Sequence, residues 1–258
     1  MRVTLLGTGS AMPLPDRVQT GLLLERDDRA LLVDCGAGVL HRLSETPVSY
    51  EDVSTVLLTH HHLDHVSDLL ALLKARWLAG EEYLEVIGPS GTKALVDDLL
   101  SVHDYLEGRV DLSIREISSG TEFEAAGFEI STHETVHSMD CLAYRFAGEA
   151  GEDGEDGNAA GDFTFGADGE ASGSIARFAD GSEVLLHDCS FPDEVDVDNH
   201  PTPTQLGEAL AGTDIDRLLL THLYPHTEGK HDEMIESVQR AGFDGDVTIA
   251  EDGMRFEV

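Results

Sequence analysis

The sequence predicts a mixed α/β fold in which two packed sheets share one functional edge. Apolar runs of strand length alternate with segments whose apolar residues recur at helical spacing. Side chains of the metal-ligand type recur at strand ends, at His60, His137, Asp168 or Asp188, and His222. The densest group, His60, His61, His62, Asp64 and His65, stands between an apolar strand and a helix. In α/β architectures that strand-to-helix position is where chemistry is placed.

Each element follows from its own residues. Residues 2–6 read as a first strand, and Gly7-Thr8-Gly9-Ser10 turns away from it. No helical pattern follows this turn, so a dinucleotide-binding role is not expected. Residues 21–25 and 30–34 are strands joined by the polar turn Arg26-Asp27-Asp28-Arg29. Asp34 closes the second, where its carboxylate can accept backbone N–H bonds or orient an imidazole on a metal. A short helix is predicted over 39–43. Val56-Leu57-Leu58 is a buried strand, and 66–78 is one helix by the spacing of Leu69, Leu70, Leu72, Leu73 and Trp77. After a strand at 84–87, Ser90 is expected to cap a helix reaching about 105. Strands follow at 112–117, 122–125, 128–132 and 141–146. Residues 147–162 are Gly, Ala, Glu and Asp with a single Asn and little to bury, and are expected to form a mobile acidic loop. Beyond it come a strand ending at Asp168, a helix over 171–178 and a strand leading to His187-Asp188-Cys189. Thr202 caps a helix with Pro203 in its first turn. Residues 217–220 end at Thr221-His222, the same strand-Thr-His arrangement as Thr59-His60. A helix over 232–241 and strands at 247–250 and 254–258 close the chain.

Four histidines and an aspartate within six residues, directly after a buried strand, point to a divalent metal. In extended chain, residues two apart face the same way, so His60 and His62 can grip one ion. Asp64 and His65, at the turn into the helix, can face a second. His137 is the ligand candidate of its segment, while His133 reads as surface or supporting.

Composition bounds the partners. Lys+Arg is 16 against Asp+Glu 51, a net charge of −35 spread along the chain. Such a surface resembles that of proteins from salt-in halophiles, where ionic strength screens self-repulsion. It argues against strong general affinity for nucleic acid. The length suits one domain over 1–258. Cys35, Cys141 and Cys189 form no close pair, which suggests a reducing cytoplasm. No apolar stretch is long enough for a membrane span and no signal peptide is evident, so no membrane partner is expected.

The pattern Thr59-His60-x-His62-x-Asp64-His65 resembles the signature of the metallo-β-lactamase-fold hydrolases. That resemblance implies a four-layer αβ/βα sandwich. His62 separates the chain from the flavodiiron branch, where a Glu stands, and favours hydrolytic zinc. The closest resemblance is to the ribonuclease Z-like branch, through Gly7-Thr8-Gly9-Ser10, Met12-Pro13, Asp16-Arg17 and Asp34-Cys35-Gly36-Ala37-Gly38. It implies that His60, His62 and His137 hold one ion and Asp64, His65 and His222 the other, as two Zn2+ with Mn2+ or Fe2+ as alternatives. Asp168 resembles the bridging aspartate, although Ala167 intervenes after Gly166, and Asp188 is the rival. Segments His187-Asp188-Cys189-Ser190-Phe191 and His200-Pro201-Thr202 resemble those that lie near the scissile phosphate, which makes His200 a proton donor. Asp34, His187 and Asp188 are expected to support the ligands.

The implied activity is hydrolysis of a phosphodiester by a hydroxide shared between two metals, with Asp64 orienting it. The substrate is a small molecule or an oligonucleotide. Endonucleolytic processing of tRNA 3′ ends is the alternative, as is hydrolysis of another ester or thioester. Two departures weigh against tRNA. Val18 follows Arg17 where the tRNA-processing members carry Asn. Where those members carry a long arm between the third ligand and the bridging aspartate, this chain has the acidic loop over 147–162, which holds no Lys, Arg or aromatic to grip RNA. A homodimer is compatible with this reading.

Overall fold

The computed structural model describes residues 1–148, 161–195 and 197–258. The first half of the chain holds β1 (Arg2–Gly7), β2 (Gly21–Arg26), β3 (Arg29–Val33), α1 (Val39–Leu43), β4 (Thr55–Leu57), α2 (Leu63–Val66), α3 (Leu69–Ala79), β5 (Tyr83–Gly88), α4 (Thr92–Val102) and β6 (Asp111–Glu116). The second half holds β7 (Glu122–Ala125), β8 (Phe128–Glu134), β9 (Leu142–Phe146), β10 (Asp162–Phe165), α5 (Gly173–Ala179), β11 (Ser182–Asp188), α6 (Pro203–Leu210), β12 (Arg217–Thr221), α7 (His231–Ala241) and β13 (Asp246–Ile249). β14 (Arg255–Glu257) then crosses back to the first sheet and pairs with β1, Val3 against Phe256.

Two seven-stranded sheets result, in the orders β14-β1-β2-β3-β4-β5-β6 and β13-β12-β11-β10-β9-β8-β7. Each is antiparallel on one side and parallel on the other. The strands read as near-continuous apolar runs because both faces are covered. Leu22, Leu24 and Leu57 face the second sheet, where they meet Phe128, Tyr144, Phe146, Phe163 and Phe165. Leu23 and Val56 face outward onto Leu43, Leu69 and Leu72 of the helices. On the far side, Leu185, Leu218 and Leu220 pack under Leu206, Leu210 and Val238. The layers are therefore helix, sheet, sheet, helix, the expected αβ/βα sandwich. Parallel strands β3, β4, β11 and β12 all end at one edge.

Two local expectations change. The helix predicted over 66–78 is two, α2 and α3, broken at Ser67 and Asp68. Asp68 is tied by its N–H to Cys35 O (2.9 Å), and its Oδ2 accepts the N–H groups of Gly38 and Leu40. That tether turns the chain and outweighs the apolar periodicity. Ser90 does not cap α4. The N-cap is Gly91, at φ 95°, and Glu116 Oε1 on β6 accepts the N–H groups of Gly91 and Lys93 at 3.0 Å each. A carboxylate distant in sequence thus does what a capping serine would. Of the acidic loop, 149–160 lie outside the described residues. Asp162 opens β10, held by Arg145 at 2.7 Å.

Candidate metal centre

The site forms along the shared edge from loops that follow β3, β4, β8, β10, β11 and β12. Asp34, one residue past β3, locks the histidine loop: Thr59 donates its N–H to Asp34 Oδ1 and its hydroxyl to Oδ2, both at 2.8 Å. The turn carrying Asp64 lies hard against Gly36, where an added Cβ would stand 2.1 Å from Asp64 O. Only glycine admits that approach. Four non-glycine residues here have positive φ: Asp34 (59°), Ala167 (54°), Asn199 (73°) and His222 (58°). Backbone strain of this kind collects where a fold must aim particular groups.

The imidazoles converge. His60 Nε2 is 3.0 Å from His62 Nδ1, which is 3.2 Å from His137 Nε2. Asp168 Oδ2 lies 3.8 Å from His60 Nε2, 3.3 Å from His65 Nε2 and 3.1 Å from His222 Nε2. Asp64 Oδ2 is 3.9 Å from His65 Nε2 and 3.6 Å from His222 Nε2. Three sets of side chains could each hold an ion: His60, His62, His137 and Asp168; Asp64, His65 and His222; and Asp168, His200 and His222.

Hydrogen bonds set which nitrogen faces inward. His65 Nδ1 donates to Asp34 Oδ2 (2.7 Å). His60 Nδ1 lies 3.0 Å from Thr59 Oγ1 and His222 Nδ1 3.0 Å from Thr20 Oγ1; each hydroxyl already donates elsewhere and so accepts here. His137 Nδ1 faces Asn199 O at 3.4 Å. With Nδ1 protonated, each of these rings turns an Nε2 lone pair inward. Lone pairs cannot satisfy one another. His65 Nε2 is buried with no hydrogen-bond partner, its 3.3 Å contact with Asp168 lacking hydrogen-bond geometry. A divalent cation resolves the crowding. At zinc–nitrogen bonds of about 2.0–2.1 Å, tetrahedral ligands stand roughly 3.3 Å apart, close to the spacing seen.

Charge reinforces this arrangement. Burial lowers the pKa of His60, His62 and His137, which favours the neutral, ligating form. Burial alone would raise Asp168, but His222 and His65 hold it well below the ordinary carboxylate range. His65 is the exception: burial opposes its charge, yet Asp168 and Asp34 raise it well above the ordinary histidine value, which favours the protonated form.

Asp188 lies outside the crowded cluster. Its Oδ2 meets His200 Nδ1 at 2.6 Å and its Oδ1 accepts the Ser190 hydroxyl at 2.6 Å. Burial pulls His200 down, but the Asp188 bond and charge push it up to about 8. His187 is buried, its Nδ1 donating to Asp188 O at 2.8 Å, and packs against Gly166. His133 stacks on Phe178. His61 bonds Thr92 (2.8 Å) and stays apart. Sequence reasoning missed Thr20, Asn199 and Tyr224. Tyr224 sits beside the His222 and His200 rings, 5.9 and 6.1 Å between centroids. No periodic signal marks it, because the chain turns at His222, where φ is 58°.

This sandwich, with its edge of convergent imidazoles and carboxylates, defines a metallo-β-lactamase-fold, metal-dependent hydrolase. The family model described as "Anti-Pycsar protein Apyc1" matches residues 1–242, and the chain belongs to that family. Ribonuclease Z of Methanopyrus kandleri is 30% identical over 246 residues, 84% of this chain and 85% of that one. Among solved structures, the metallo-beta-lactamase fold protein YhfI from Bacillus subtilis matches with a TM-score of 0.83 and 25% identity, covering 100% of this chain and 98% of that one. Zinc-bound PqqB from Methylobacterium extorquens shares the fold, with a TM-score of 0.77, 19% identity and 100% of both chains covered. The ribonuclease Z-like resemblance read from the histidine motif and the glycine turns holds at the level of sequence and of fold. Among the described residues, no helix is long and apolar enough to cross a membrane.

Proposed function

We propose that this chain, acting as one domain, is a dinuclear zinc phosphodiesterase. His60, His62 and His137 would hold one ion, Asp64, His65 and His222 the other, and Asp168 would touch both. The observation that carries this reading is the placement of Asp168 Oδ2, within 3.8 Å of imidazole nitrogens from both sets. When bound, such a pair supplies Lewis acidity and a deprotonated water near neutral pH. Asp64, buried with its Oδ2 between the His65 and His222 rings, would orient the attacking water. His200, held by Asp188, donates a proton to the departing oxygen. Asp34 keeps His65 in its ligating tautomer. Three free, buried cysteines are consistent with a reducing cytoplasm.

Processing of tRNA 3′ ends is the second reading, favoured by the ribonuclease Z relative. The sequence argument against tRNA finds no support among the relatives, and both substrates stay open. The test is metal analysis of the purified protein, followed by assays on a chromogenic phosphodiester and on a precursor tRNA in molar salt. About two ions per chain and turnover of a phosphodiester are expected. Unchanged turnover after removal of metal would overturn the mechanism, and cleavage of precursor tRNA alone would select the second reading.

A further inference from the structure

The turn Gly7-Thr8-Gly9-Ser10 supplies no metal ligand, yet it grips the segment that carries His222. The Leu223 N–H donates to Thr8 O (3.1 Å), and the Ser10 hydroxyl donates to Leu223 O (3.2 Å). Thr20, whose hydroxyl donates to Gly9 O (3.3 Å), accepts from His222 Nδ1 at 3.0 Å. His222 needs such a grip, because its backbone lies in the left-handed region, at φ 58°. A non-glycine residue stays there only where its surroundings over-determine it. Ser190 holds the other side, donating its hydroxyl to His222 O at 2.9 Å.

What fixes the turn comes from far along the chain. Asp252 stands in the connection from β13 to β14, where the chain crosses from the second sheet back to the first. Its Oδ1 accepts the Thr8 N–H (2.9 Å) and the Thr8 hydroxyl (2.7 Å), and its Oδ2 accepts the Val18 N–H (2.7 Å). Val18 O in turn accepts the Gly9 N–H at 2.9 Å, which joins the two arms of the loop. The Asp252 side chain is 3% exposed, so water is a poor substitute for a lost acceptor. A carboxylate offers both oxygens to these donors, and an amide of the same shape offers one.

We propose that Asp252 is a positioning residue for the second metal set: through the Gly7–Ser10 turn it holds His222 so that its Nε2 stands 3.6 Å from Asp64 and 3.1 Å from Asp168. The inference rests on the reading that gives Asp64, His65 and His222 to one ion. It makes the loading of that ion depend on the crossover between the sheets, and it leaves His60, His62 and His137 out of reach of the clamp.

The test is Asp252→Asn, which keeps the shape and removes an acceptor. Zinc titration against a competing chelator should show one ion bound roughly tenfold to a hundredfold more weakly, the usual cost of losing a supporting partner, and the other unchanged. The weakened ion should be the one that His222→Ala removes. In the metal-stripped protein, amide exchange at Leu223 should speed up roughly tenfold relative to Leu58, whose N–H donates to Ile87 O in the first sheet. Equal weakening of both ions overturns the clamp. So does a lower melting temperature with zinc affinities and Leu223 exchange as in the parent, which is what a purely structural role predicts. Thr8→Val removes only the hydroxyl donor and should give the same pattern more weakly. It decides the matter if Asp252→Asn does not fold, and parental zinc affinity and Leu223 exchange in Thr8→Val overturn the clamp. Fewer than two ions on the parent protein would instead sink the metal assignment, and Leu223 exchange would still show whether Asp252 holds the His222 segment.

Discussion

Asp168 and Asp188 show how two carboxylates of similar setting can differ in role. Both are buried, Asp168 just past β10 and Asp188 at the end of β11, but one oxygen of Asp168 faces three imidazoles while Asp188 spends its oxygens on His200 and Ser190. Asp168→Ala is expected to lower metal content and abolish turnover, because it leaves inward nitrogens of both sets without their shared counter-charge. Asp188→Ala should keep its metal and lose roughly 10–100-fold in activity, the usual cost of removing a supporting partner. Metal analysis of the two variants side by side decides between them, and the reverse pattern would exchange the roles. His200 carries the pH dependence. Its folded pKa, about 8, lies above the ordinary histidine value, so it holds its proton below that value and loses it as pH rises. Turnover that needs His200 as donor should fall through about pH 8. Stability from the Asp188 pair is full below the unfolded pKa of about 6.5 and is lost over the same rise. In Asp188→Asn, burial remains and the largest raising partner is gone, leaving only the weaker pull of Asp168 and Asp64. Nuclear magnetic resonance of the metal-stripped variant should then show His200 titrating lower than in the parent protein, and an unmoved value would contradict the pairing.

At the scale of elements, the site depends on turns more than on strands. Gly36 admits the backbone of Asp64, and the two-residue break between α2 and α3 lets Asp68 tie that turn to Cys35 and to the start of α1. Gly36→Ala is expected to displace the Asp64–His65 turn and weaken metal binding at least tenfold, since a side chain cannot share space with a carbonyl oxygen. Zinc titration against a competing chelator measures it, and unchanged affinity would show that the turn can shift freely. Thr202 caps α6 through a capping box with Gln205 and stands two residues after His200. Thr202→Ala should cost about 1 kcal/mol in stability, read from denaturant midpoints at constant slope.

The molecule as a whole carries a net charge of −35. Ion pairs such as Lys93–Asp97 and Arg2–Glu257 sit at the surface and offset little of it. Self-repulsion screened within about 3 Å at 1 M salt, against about 10 Å at 0.1 M, predicts a melting temperature that rises with potassium chloride. Equal melting temperatures in dilute and molar salt would remove the electrostatic account.

The order of strands and helices was legible in the residues, because a strand buried on both faces is an uninterrupted apolar run and a helix repeats at its own period. The histidine loop was legible too, since residues two apart in extended chain must converge. Tertiary structure alone decided what depends on groups far apart in sequence. Glu116 replaces Ser90 at the start of α4, and Asp68 splits a helix whose apolar spacing reads as continuous. The same holds at the centre: strand ends at Asp168 and Asp188 look alike until the second sheet brings His222 to one and the loop of His200 to the other. Local chemistry sets which side chains are able to bind a metal. Which carboxylate meets which imidazole follows from packing two sheets face to face, and no window of sequence contains that distance.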